Sequence, residues 1–181
     1  MVAAPALRRL AWPGAAVAAA AFIAALAFLG ERPEPGLARF QAAGLMLHLP
    51  PERVSRVEIE AAGKRLALAR GADGRWTSSG EPAAGELTAR VEAGLRLLHV
   101  SGPERSMAPD ELRGTPLADL GLAPPLLTVT ARAGSGPAFT VHFGGKNPLG
   151  LARYARVDGI EEIVLLPGFV AEAWEQVAGQ R

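Results

Sequence analysis

The sequence predicts an α+β fold: one N-terminal transmembrane helix followed by two sheet-plus-helix units, each a strand meander with a helix. Three observations predict it. The stretch Leu10 to Gly30 carries no charge and lies directly behind Arg8 and Arg9. Short segments that alternate apolar and polar residues recur between residues 54 and 77, and again between 126 and 166. A segment with helical apolar spacing follows each group, so the pattern switches from a period of two to a period near 3.6.

The first element is the run 10–30. About 20 apolar residues cross a bilayer core as one helix. Val17, Phe22, Ile23, Leu26, Phe28 and Leu29 supply most of its hydrophobicity, and alanine fills much of the rest. Trp12 suits the headgroup region, and Pro13 falls in the first turn, where a missing N–H costs little. Two readings stand open. The run is a retained anchor, or it is a signal peptide cut after Ala25-Leu26-Ala27, giving a mature N-terminus near Phe28. Both export the rest of the chain. The short basic N-terminus ahead of a first span places the N-terminus in the cytoplasm and the remainder in the periplasm.

Residues 31–49 read as a linker and juxtamembrane segment. Pro33, Pro35 and Gly36 stop a helix. Leu37 to Leu49 turns apolar again, with Phe40, Leu45, Met46 and Leu47, and His48 is expected at a surface or boundary.

The exported domain is predicted over 50–178, as subunits 50–100 and 124–178. In the first, Val54, Val57 and Ile59 alternate with Arg56, Glu58 and Glu60 as a half-buried strand. A turn at Ala62-Gly63-Lys64 leads to a strand with Leu66 and Leu68. Asp73-Gly74 signals a hairpin into Arg75-Trp76-Thr77, where Trp76 is expected at the core edge. Leu87, Val91, Leu95 and Leu98 then fall on one helix face, with Glu86, Arg90, Glu92 and Arg96 elsewhere as a solvated surface. His99 is expected to cap carbonyls at the helix end.

Residues 101–125 connect the halves. Thr115-Pro116 reads as a helix start and Gly121 as its end. In the second unit, Leu127, Val129 and Ala131 alternate with Thr128, Thr130 and Arg132. Phe139, Val141 and Phe143 alternate with Thr140 and His142. Residues 153–157 and 162–166 form another strand pair around Asp158-Gly159. A last helix from Gly168 presents Phe169, Val170, Ala173, Trp174 and Val177.

Composition bounds the function. The net charge of +1 shows no global bias toward nucleic acid. The absence of cysteine rules out disulfides and thiol chemistry. The three histidines lack the i, i+4 spacing of a zinc site, and no G-x-S-x-G elbow is present. Asp110-Glu111 and Glu161-Glu162 are sequence neighbours that do not form a carboxylate dyad by adjacency alone. Gly144-Gly145-Lys146-Asn147-Pro148 lacks the phosphate-loop spacing and reads as a strand connection. No catalytic residue, cofactor or metal is expected. The candidate interaction face is Thr128, Thr130, Arg132, Thr140 and His142, contiguous if strands 126–132 and 138–143 pair as a hairpin.

Several segments in order carry a resemblance: Val57-Glu58-Ile59, Leu68-Ala69-Arg70, Asp73-Gly74-Arg75-Trp76, Asp119-Leu120-Gly121-Leu122-Ala123-Pro124-Pro125, Phe143-Gly144 and Arg153-Tyr154-Ala155-Arg156-Val157. Across 50–177 the chain resembles the bacterial domain-of-unknown-function family 4340. The resemblance implies a membrane-tethered envelope protein, sometimes encoded with ABC-type transporters, and transfers no catalytic residues. The expectation is a non-enzymatic, single-pass accessory of the bacterial inner membrane. It contacts the bilayer through residues 10–30 and docks its exported domain on ABC-type transporter subunits. The alternative is a periplasmic ligand-binding module released by signal cleavage.

Overall fold

A computed structural model describes residues 19–22, which are helical, and 44–179. The chain divides after Phe40, and the unit beginning at Gln41 holds the fold described here. Its first regular strand, β1 (Arg56–Ala61), turns through Ala62 (φ 50°) and Gly63 (φ 74°) into β2 (Lys64–Arg70). Two successive positive φ values match the right-handed twist of a tight hairpin. Asp73 Oδ1 accepts from the Arg75 backbone N–H at 3.0 Å, closing the next turn into β3 (Trp76–Ser78). A two-residue strand β4 (Glu81–Pro82) precedes α1 (Gly85–Val100). The chain then runs through β5 (Arg105–Met107), β6 (Leu127–Arg132), β7 (Ala138–Lys146), β8 (Ala152–Val157), β9 (Ile163–Pro167) and α2 (Gly168–Ala178).

The predicted two-unit plan is overturned. The nine strands of the described residues form one sheet in the order β4-β3-β2-β1-β6-β7-β8-β9-β5, and every neighbouring pair is antiparallel. The join is the β1–β6 ladder, in which Val57 faces Ala131 and Ile59 faces Val129. Local alternation finds strands but not which strands from distant segments will pair. Two strands escaped the sequence reading, β4 in the Gly80–Pro82 loop and β5 in the connection. Both edges are therefore very short, which limits pairing with other chains.

The transmembrane helix of the prediction is likewise not shown. No helix among the described residues is long and apolar enough to cross a membrane. The predicted span 10–30 lies outside the described residues except for 19–22.

Both helices pack on one face of the sheet, over a single core. Val57, Ile59, Leu68, Leu127, Val129, Val141, Phe143, Val164 and Leu166 point from the strands into it. Val91, Leu95, Leu98, Val170, Trp174 and Val177 meet them from the helices. Trp76 lies inside this core, not at its edge. Its Nε1 donates to Glu92 Oε1 at 2.7 Å, and the Arg70 guanidinium stacks 4.6 Å from its ring centroid. Glu92 also pairs with Arg70, so this acid is part of the packing and not of a solvated face. His99 Nδ1 reaches the Met46 carbonyl at 3.1 Å, tying the 44–49 segment to α1 instead of capping its own helix.

The opposite face is covered at one end only. The connection after β5 crosses it and builds a second small core from Leu120, Leu122, Met107 and Ile163, with Tyr154 and Leu165 packed against it. Residues 116–121 form hydrogen-bonded turns, not the predicted helix. Leu120 is pinned to β7: its carbonyl accepts from the Gly145 N–H at 2.8 Å, and a Cβ on Gly144 would stand 2.2 Å from that oxygen. The Gly144-Gly145 pair thus admits a crossing backbone.

Candidate functional site

Strands β2, β1, β6 and β7 leave their outer face open. Alternation puts Arg56, Glu58 and Glu60 on that face of β1, because Val57 and Ile59 point into the core. The same rule places Thr128, Thr130 and Arg132 outward on β6, and Thr140 and His142 outward on β7. Strands 127–132 and 138–146 do pair, with Thr128 opposite His142 and Thr130 opposite Thr140. All five predicted residues lie on one patch.

The pairs are bonded. Thr130 Oγ1 and Thr140 Oγ1 are 3.3 Å apart. Thr128 Oγ1 lies 3.1 Å from His142 Nδ1, and His142 Nε2 lies 3.0 Å from Asp158 Oδ1. A hydroxyl on β6, an imidazole on β7 and a carboxylate in the turn after β8 therefore form one chain. If Nε2 carries the hydrogen toward Asp158, Nδ1 accepts from Thr128. That is the proton order of a nucleophile relay. β6 is paired on both sides, so its own backbone N–H groups are taken up by the ladders and offer no oxyanion hole. The relay orients His142 and presents a hydroxyl and an imidazole edge on the sheet surface.

At the other end of the patch Arg132 stands directly across from Arg56. Both are exposed, and neither has a carboxylate partner among the described residues. Like charges in register oppose one another, so this end of the face is electrostatically unsatisfied. Arg156 faces His142 from β8, and its Nε is buried without a hydrogen-bond partner among the described residues. The acids nearby are committed: Arg65 pairs with Glu58 at 2.5 Å and with Glu60 at 3.2 Å.

The sequence reading missed Arg56, Arg156 and Asp158 as members of the patch. Arg56 was visible as a polar strand position, but its place opposite Arg132 depends on the β1–β6 pairing, which joins residues far apart in sequence. The Gly144–Pro148 stretch is not an anion cradle. β7 continues through Lys146, whose Nζ bridges to Glu172 Oε1 at 3.3 Å.

A cavity of about 280 Å³ adjoins the patch at the β6–β7 turn and shares Asp158 with it. Leu45, Leu49, Pro137 and Phe139 give it an apolar wall, with Arg53 and Asp158 among its polar lining residues. Among the described residues no three His, Cys, Asp or Glu side chains group to hold a metal ion. Comparison with family models, with curated proteins and with solved structures finds no match for this chain.

Proposed function

We propose that the chain is a non-enzymatic accessory protein of the bacterial envelope, held at the inner membrane by its apolar run 10–30, with the sheet domain on the periplasmic side. The domain docks on a membrane complex through its open sheet face. The observation that carries the reading is the in-register pair Arg56 and Arg132. Two exposed guanidiniums without carboxylates, beside a bonded Thr–His–Asp row, fit an acidic protein surface that supplies the missing charge. The resemblance to family 4340 adds ABC-type transporter subunits as that partner. A bilayer contact concentrates the domain near its target, so a modest interface suffices.

The test is affinity capture of the tagged full-length chain in mild detergent, run beside a form lacking residues 1–30 and beside the double variant Arg56→Glu/Arg132→Glu. Stoichiometric recovery of transporter subunits by the first alone supports the proposal. Equal recovery by the double variant removes the sheet face as the docking site.

The cavity beside Phe139 favours a second reading, a ligand-binding module released by signal cleavage. That reading predicts no captured partner, a mature N-terminus near Phe28, and saturable binding of a small apolar molecule at the cavity.

A further inference from the structure

The end of the sheet where β7 passes into β8 holds three large apolar side chains in water. Leu149, Leu151 and Phe169 are 78%, 70% and 53% exposed. A single exposed leucine is ordinary. These three share one projection, because the Leu151 carbonyl accepts from the Gly168 N–H at 2.9 Å and Phe169 follows directly in the first turn of α2.

The projection is built. Asn147 Oδ1 accepts from the backbone N–H of Leu151 at 3.0 Å and of Ala152 at 3.2 Å. Gly150 donates to the Asn147 carbonyl at 2.8 Å and takes φ 74°. These bonds fix the turn that carries the two exposed leucines. Segments 146–151 and 168–171 contain one cation, Lys146, and no acid. Glu172, the next residue along α2, is bridged by Lys146.

We propose that this tip enters the interfacial layer of a lipid bilayer. Exposed apolar side chains on a protein partner need a matching groove, whereas a lipid interface takes them up without one, and the bridged Lys146–Glu172 pair leaves the tip without net charge to oppose entry. The inference rests on the reading that run 10–30 engages the bilayer. Residues 31–43 reach at most about 45 Å when extended. The described chain enters at the opposite end of the sheet, where Leu45 and Leu49 lie beside Gly136 and Pro137, and the nine residues of β7 that lead to the tip span about 30 Å, a distance within the linker's reach. The tip adds a second contact, which fixes the orientation of the domain and leaves its polar face sideways for a partner.

The absence of cysteine makes the test clean. The full chain carrying Leu149→Cys with an environment-sensitive fluorophore is reconstituted in phosphatidylethanolamine–phosphatidylglycerol vesicles. Ser135→Cys, in the turn at the other end of the sheet, is the control. The expected result is a blue-shifted emission at 149 and several-fold stronger quenching by spin-labelled lipids than at 135. Adding Leu151→Asp and Phe169→Asp brings position 149 down to the control. Equal, water-like signals at 149 and 135 on chains that float with the vesicles overturn the tip alone. A signal at 149 that survives the aspartates shows the dye inserting by itself and also overturns it. Failure of the full chain to float overturns both the tip and the bilayer reading beneath it.

Discussion

Gly94 of α1 faces the indole of Trp174 of α2, and a Cβ at position 94 would lie 2.7 Å from Trp174 Cε2. The two helices approach closely because one side chain is missing there. Trp174 is fully buried by the approach.

Gly94→Ala therefore destabilises the domain. Alanine gains about 1 kcal/mol of helix propensity, but overpacking a filled core costs about 1–3 kcal/mol. The buried indole and the helix backbone leave little room to yield. The denaturation midpoint in urea falls. Gly85→Ala, at the start of the same helix with open space around it, raises the midpoint instead. A matching rise for Gly94→Ala would show that the helices re-space freely.

Among the described residues Arg153 is the one charged residue that is buried, at 8% exposure. It donates to the Gly144 carbonyl at 3.0 Å and pairs with Glu175 of α2. Removing Glu175 leaves a buried guanidinium without its counter-charge. A fully buried pair broken this way loses about 3–5 kcal/mol, and the half-open position of Glu175 reduces that to about 1–3 kcal/mol. Glu60→Ala, in an exposed pair with Arg65, costs less than about 1 kcal/mol. Calorimetry of the two variants checks the order.

Arg132→Glu separates stability from docking. It turns the opposed Arg56–Arg132 pair into an opposite-charge pair, worth about 0.2–1 kcal/mol of added stability. The same change removes a cation from the proposed docking face. The expected outcome is an unchanged or higher melting temperature with weaker partner capture. A variant that loses both would mean Arg132 serves the fold.

Glu111 titrates below the ordinary glutamate range, first because its carboxylate accepts the Ala108 backbone N–H at 3.2 Å and then because Arg105 hydrogen-bonds it at 2.6 Å. A depressed folded-state value gives stability that is present above the unfolded value and lost as pH falls through the folded one. NMR titration of Glu111 should show a lowered midpoint that rises part of the way back in Arg105→Ala.

The strands carrying Val57 and Ile59, Val129 and Ala131, and Val141 and Phe143 were legible because alternation is a local property. It records which residues a strand buries, without reference to its partner. The helix face Val91, Leu95 and Leu98 was legible for the same reason. Thr128, Thr130, Arg132, Thr140 and His142 followed from one hairpin whose ends are near in sequence. The β1–β6 ladder was not legible. It joins segments separated by a helix and a long connection, and nothing in either segment encodes the other. That ladder merged two predicted units into one sheet, set Arg56 against Arg132, and left both helices on a single face. The crossing of residues 116–122 over Gly144-Gly145 was hidden in the same way, since a glycine pair reads alike as a loop, an anion cradle or a site of close approach. Sequence by itself determined every strand except β4 and β5, and most of what those strands bury, because alternation depends on neighbours two to four residues away. Tertiary structure alone decided the pairing, and with it the open face, because pairing is chosen by the burial of the whole core at once.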